Sequence, residues 1–212
     1  MNLHRPLRIA VAGFGPFPGV RKNPSAEIVR AIERSPRLRA HGLVLDTAIF
    51  PTAYAEARRQ LEALLSKAPQ AIVLFGVAAR TKHLRVETLA RNRASLFYPD
   101  SARFVPRERK LLAEGAEKLK VRGPAMRMRA AIRATGARAE LSINAGSYLC
   151  NAVFYQALAF GNARAPAPLT FFIHVPQPAP GHGKGSLRAL QRAGEAAVLA
   201  AASILRVSRR DG

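Results

Sequence analysis

Short apolar runs alternate along the chain with longer stretches in which apolar residues recur at helical spacing. Leu7-Arg8-Ile9-Ala10-Val11-Ala12-Gly13 reads as a short buried strand, and Leu43 to Phe50 as a second, ended by Pro51. Ala71 to Gly76 is the clearest strand, an unbroken apolar run closed by glycine, and Leu169 to Pro176 is a further one carrying His174 near its end. Between the strands, Asn23-Pro24 signals a helix with asparagine as N-cap and proline at its first position, and Ile28, Val29 and Ile32 give it an apolar stripe. Thr52 reads as the cap of a second helix, striped by Ala57, Leu61, Leu64 and Leu65 and broken by Pro69. Pro124 to Thr135 reads as a helix ended at Gly136. A loop from Pro178 to Gly185 leads to a last helix with Leu187, Leu190, Ala197, Val198, Ala201, Ile204 and Leu205 inward and Arg209-Arg210 frayed. Strands alternating with helices at this rhythm predict an α/β fold. The expectation is a single-domain three-layer α/β/α sandwich over residues 1–212, around a mostly parallel, doubly wound sheet.

The rhythm fails in two places. From Val77 to Asn92 apolar residues (Leu84, Val86, Leu89) alternate with charges around Glu87, which suggests a strand. Taken alone, Glu87 reads as an exposed salt-bridge partner among arginines. From Phe104 to Gly123 the charged segment Arg107-Glu108-Arg109-Lys110 and Glu117-Lys118-Leu119-Lys120 reads as an exposed basic excursion.

Composition narrows the setting. Nearly half the 212 residues (49%) are hydrophobic, enough for a sizeable core. The single cysteine excludes an intramolecular disulfide and suits a cytoplasmic protein. Met1-Asn2-Leu3-His4-Arg5-Pro6 lacks the apolar core of a signal peptide, and no apolar run approaches membrane-spanning length, so no membrane partner is expected. The charge is unusual: 34 Lys and Arg against 13 Asp and Glu, or +21. Because the basic residues are spread over the whole length, the expectation is nucleic-acid contact that is nonspecific at most.

Candidate chemistry centres on the lone cysteine. In Ser142-Ile143-Asn144-Ala145-Gly146-Ser147-Tyr148-Leu149-Cys150-Asn151, an apolar-leaning run from Ala139 to Ile143 reaches a glycine turn, and Ser147 then reads as a helix N-cap. Cys150 would lie in the first turn, near free N–H groups and the positive end of the helix dipole. Such a position lowers a thiol pKa and favours a nucleophilic thiolate, whereas the alternative reading is a buried structural cysteine. His174 is a hydrogen-bonded core residue, a plain residue at the strand tip, or a proton carrier. His4, His41, His83 and His182 are weaker candidates. No His, Cys, Asp and Glu set has metal-ligand spacing, so neither a metal nor another cofactor is expected. Phe14 and Phe17, in the glycine- and proline-rich loop after the first strand, either cover the core or line a pocket. Gly13-Phe14-Gly15 is not a phosphate fingerprint, because the third glycine is missing. Glu87, Cys150 and His174 all stand at strand ends or a helix start, where open α/β sheets assemble their sites. A cysteine nucleophile needs a base, and that base needs an acceptor to fix its tautomer.

Leu149-Cys150-Asn151 with Phe154-Tyr155, together with Phe172-Ile173-His174-Val175-Pro176, resembles the pyroglutamyl peptidase I (pyrrolidone-carboxylate peptidase) family. Gly13-Phe14-Gly15-Pro16-Phe17 followed by Asn23-Pro24-Ser25 is similar to its N-terminal signature, and the resemblance covers nearly the whole chain. It implies a cysteine exopeptidase that hydrolyses an N-terminal pyroglutamyl residue through a thioester. Cys150 would be the nucleophile, His174 the general base and acid, and Glu87 the residue orienting His174. Phe14 and Phe17 would sandwich the lactam ring, Asn23 and the backbone at Val77 would hydrogen-bond its amide, and Thr52, Tyr148 and Leu149 would complete the wall. The implied partner is a peptide with N-terminal pyroglutamate, and a homo-oligomer is left open. The chain departs from the family pattern at Ala79-Arg80-Thr81, where Gly-Gly-Arg is common, and at Phe97, where arginine is common. Two rival expectations stand beside this one: a cysteine-dependent amidase for another acyl group, and a polyanion-binding protein on an inactive peptidase fold.

Overall fold

The computed structural model describes residues 6–17, 19–178 and 183–210. His4, Pro18, His182, the amino-terminal segment and residues 179–182 of the loop before the last helix lie outside them.

Three strands that read as near-unbroken apolar runs form the centre of the main sheet: β1 (Leu7–Phe14), β3 (Ala71–Val77) and β8 (Leu169–Val175). They are covered on both faces, which is why their apolar residues do not alternate. With β2 (Leu43–Phe50), β4 (Leu84–Glu87) and β7 (Ala139–Ser142) they make a six-stranded sheet in the order β2-β1-β3-β8-β4-β7. Every neighbouring pair is parallel except β4 and β8. That exception follows from chain length. The loop of residues 78–83 passes across the end of β8, and a parallel return would need a crossover of a dozen residues or more. The stretch around Glu87 is therefore a strand, as its alternation suggests, but an antiparallel one. A separate two-stranded hairpin joins β5 (Leu89–Arg91) to β6 (Lys118–Lys120).

Helices cover both faces. On one lie α1 (Pro24–Arg34), α2 (Pro36–Ala40), α4 (Ala125–Arg133) and α6 (Gly183–Arg210), packing Ile28, Ile32, Leu38, Met128, Ile132 and Val198 against the strands. On the other lie α3 (Tyr54–Ser66) and α5 (Leu149–Asn162), with Leu61, Leu65, Val153, Phe154 and Leu158 inward. This is the three-layer α/β/α arrangement that the pattern predicts. Details differ at the margins. Helix α6 continues through Arg210 instead of fraying at Arg209. Strand β7 stops at Ser142, leaving Ile143 exposed.

The basic excursion is only partly exposed. Its Arg107 to Lys110 portion faces solvent, but Leu111, Leu112, Leu119 and Val121 pack against the core. Buried Asn92 pins it, accepting from the amides of Leu111 and Leu112 and donating to the carbonyls of Leu112 and Gly115.

Candidate active site

The carboxyl ends of β1, β3 and β8 open into one cavity of about 610 Å³. Phe14 ends β1, packing edge-to-face on Phe50, and Phe17 follows in the loop. Asn23 fixes that loop. Its Oδ1 accepts from the amide (3.1 Å) and hydroxyl (2.8 Å) of Ser25, capping α1 as its sequence suggests, while Nδ2 donates to the carbonyl of Gly15 at 2.9 Å. Thr52 is not the cap of α3. Its hydroxyl donates to the carbonyl of Pro16, and the helix N-cap is Ala53, without a side-chain bond. The missing acceptor comes from far along the chain: Asp100 Oδ2 takes the amide of Tyr54 at 2.8 Å, and its Oδ1 takes those of Ala102 and Phe104.

Cys150 is the second residue of α5. Ser147 does not cap this helix; Tyr148 holds the N-cap position in extended backbone, with no side-chain bond to the first turn. The turn ahead of it is built by Ser142 and Asn144, whose side-chain oxygens accept the amides of Asn144 and Gly146, and by the positive φ of Gly146 (83°). The first-turn N–H groups of α5 are thus left available beside the sulfur. A Cβ on Gly76 would stand 2.8 Å from Cys150 Sγ and equally close to the Phe172 ring, so the sulfur rests against the backbone of β3. Gly76 pairs in register with His174 on β8, one strand spacing away, about 4.8 Å. Register and the helix start therefore bring the imidazole and the thiol to the same cavity.

His174 Nδ1 lies 2.7 Å from Glu87 Oε1. A carboxylate oxygen only accepts, so Nδ1 is the donor in this contact. Both side chains are buried, Glu87 completely (0% exposed). This overturns the reading of Glu87 as an exposed salt-bridge partner: Glu87 and Phe172 are in register on neighbouring strands beneath α5. Arg85, two residues earlier on the same face of β4, places Nε 3.3 Å from Glu87 Oε1 and Nη2 3.5 Å from His174 Nδ1.

The thiol is not acidic. Burial pushes Cys150 up to about 12, and the Glu87 charge adds to the rise; its own backbone N–H and Arg85 offset only part of it. The helix start was expected to lower this pKa, and desolvation of the thiolate outweighs it.

Phe14, Phe17, Asn23, Thr52, Val77, Tyr148 and Leu149 all line the cavity with Cys150 and His174, and Glu87 stands behind the histidine. Ala79, Arg80 and Thr81 lie on its rim, whereas Phe97 is exposed outside it. His41 lies at the end of α2, and His83 pairs with Glu140 at 3.3 Å, both apart from the cavity lining. Arg85, Asp100 and Asn151 carry no role that the sequence alone assigns. Asn151 is fully buried and binds the backbone of Arg91 and Arg93, tying the β5 hairpin to α5. Among the described residues no cluster of His, Cys, Asp or Glu is suited to a metal ion, and no helix is long and apolar enough to cross a membrane.

A thiol and a histidine lining one cavity, the histidine held by a buried carboxylate, in a mostly parallel α/β sheet, are the parts of a cysteine-dependent hydrolase. Residues 7–187 match the pyroglutamyl peptidase family, to which the chain belongs. Among curated relatives, the pyrrolidone-carboxylate peptidase of Levilactobacillus brevis is 31% identical over 173 residues, spanning 80% of this chain and 82% of its own length. That of Lactobacillus helveticus is 30% identical over 170 residues, with 80% and 84% covered. The pyrrolidone carboxyl peptidase of Thermococcus litoralis has the same fold, with a TM-score of 0.85 over 95% of this chain and 96% of that one, at 24% identity.

Proposed function

We propose that this chain is a cysteine peptidase that removes an N-terminal pyroglutamyl residue from peptides. The observation that carries the reading is the 2.7 Å His174–Glu87 contact beside the cavity that Cys150 also lines. Family membership and relatives named pyrrolidone-carboxylate peptidase support the acyl group.

In the reaction, Phe14 and Phe17 hold the flat lactam ring, with Thr52, Tyr148 and Leu149 as walls. A small neutral ring asks for aromatic faces and few polar contacts. Asn23 has both lone-pair directions of Oδ1 occupied by Ser25, so it serves the lactam through the second hydrogen of Nδ2. The backbone at Val77 supplies the other polar contact. Because the thiol is protonated at rest, His174 Nε2 removes its proton as Sγ attacks the pyroglutamyl carbonyl. The backbone N–H of Cys150 faces the developing oxyanion. His174 then passes the proton to the leaving amine, and the C–N bond breaks to leave a thioester. Water, deprotonated by His174, attacks the thioester; pyroglutamate leaves and the proton returns to sulfur. Glu87 keeps the imidazole in one tautomer and stabilises its positive charge during both transfers. The lone cysteine suits the reducing cytoplasm, where we place the protein.

Release of amine from a pyroglutamyl amide at neutral pH tests the assignment. Wild-type turnover that disappears in Cys150→Ala is expected. Alkylation of Cys150 without release from any pyroglutamyl substrate would instead point to an amidase for a different acyl group.

A further inference from the structure

The order of strands also orders the site. Along the carboxyl edge come Phe14 on β1, Gly76 on β3 with Cys150 packed over it, His174 on β8, and Arg85 on β4 in register with His174. The acyl pocket lies on the Phe14 side of the sulfur. The leaving nitrogen must come within reach of His174, which protonates it, so the residue after pyroglutamate is directed to the β8–β4 side. On that side the cavity wall carries Arg85 and, from the loop crossing the end of β8, Arg80. Among the described residues no Asp or Glu side chain lines the cavity. Arg85 turns Nε toward Glu87, but a guanidinium carries five N–H donors in a fixed fork, and this side chain is only partly buried (26% exposed). Arginine pairs with carboxylates through two parallel hydrogen bonds.

We infer that the site favours pyroglutamyl substrates whose second residue presents a carboxylate. Two sources offer this chemistry: an Asp or Glu side chain following the pyroglutamyl residue, or the free C-terminal carboxylate of a pyroglutamyl dipeptide. The inference rests on the pyroglutamyl-peptidase reading, and its test keeps the two apart.

The experiment compares kcat/KM within two matched pairs: pyroglutamyl-glutamyl amide against pyroglutamyl-glutaminyl amide, and pyroglutamyl-alanine against its amide. The acidic member should lead by roughly five- to tenfold in at least one pair at low salt. A lead in the first pair assigns the side-chain source, and a lead in the second assigns the chain terminus. The lead should shrink above about 0.5 M salt, where screening is short-ranged. Arg85→Gln and Arg80→Gln should each cut the ratio, and Arg85→Lys should keep part of it. Within each pair a general loss of turnover cancels, so a merely structural role for Arg85 would lower all rates and leave the ratio unchanged. Ratios near one in both wild-type pairs, or ratios untouched by both Gln variants, would overturn the inference while leaving pyroglutamyl release intact. If Arg85→Gln does not fold, the wild-type ratios, their salt dependence and Arg80→Gln decide. No turnover of any of the four substrates would overturn the functional reading, and this inference with it.

Discussion

Glu87 acts on its two neighbours in opposite senses. It hydrogen-bonds His174, which in the proposed reaction orients the base for proton transfer, and its charge also raises the pKa of Cys150, which disfavours the thiolate. Glu87→Gln should therefore separate two measurements that usually move together. Turnover of a pyroglutamyl amide should fall by about 10²–10⁴-fold, since the tautomer is no longer enforced. Alkylation of Cys150 by iodoacetamide at alkaline pH should become faster, because a charge opposing the thiolate is gone. The sign of the wild-type pH profile follows from the same shift. A thiol held near 12 loses its proton only far above the free value of about 8.5, so alkylation should climb about tenfold per pH unit from 7 to 9 without levelling off. A plateau below pH 8 would mean an acidic thiol and contradict this account of the resting site. Gly76 belongs to the same scale. Gly76→Ala would drive a methyl into Cys150 Sγ and the Phe172 ring, and should abolish most turnover while costing about 1–3 kcal/mol of stability by urea unfolding.

Among the elements, what was legible depended on how local its cause is. The central strands stand out because burial on both faces demands unbroken apolar runs, and the start of α1 stands out because Asn23 and Pro24 carry the whole cap signal within neighbouring residues. The cap of α3 was misread for the converse reason. Thr52 stands one residue before the N-cap position, and the acceptor is Asp100, 46 residues beyond the Tyr54 amide that it takes, which nothing in the local sequence announces. Helix α2 leaves little trace in the sequence although Ser35-Pro36 is a cap and first-turn pair, because only Leu38 is buried on its five residues. The direction of β4 and the β5–β6 hairpin depend on loops crossing other strands, which periodicity does not encode. Asp100 gathers three backbone amides, so Asp100→Ala should cost about 1–2 kcal/mol and lower the urea midpoint. An unchanged midpoint would show that solvent replaces those contacts without loss.

Only the whole molecule brings the site together, since its side chains come from β1, β3, β4, α5 and β8. The sequence offered Glu87, Cys150 and His174 as residue types that suit one mechanism, and the resemblance supplied their roles. Their spatial meeting depends on register, and the raised thiol pKa depends on burial, neither of which can be read along the chain. The net charge of +21 is likewise a property of the whole surface. Arg91, Arg93, Arg109, Lys110 and Lys118, with Glu117 as the one acidic side chain among them, gather round a cavity of about 320 Å³, where the positive excess attracts polyanions. Nonspecific binding predicts that affinity for duplex DNA falls by orders of magnitude between about 50 and 200 mM salt. Tight binding that persists at physiological salt would favour the polyanion-binding alternative. In the proposed reaction Cys150 carries the pyroglutamyl group as a thioester, which acid quenching during turnover followed by mass spectrometry would capture. A pyroglutamyl adduct is expected on the peptide containing Cys150, absent in Cys150→Ala and depleted in His174→Ala. Undiminished turnover in Cys150→Ala, or an adduct on another residue, would contradict that mechanism.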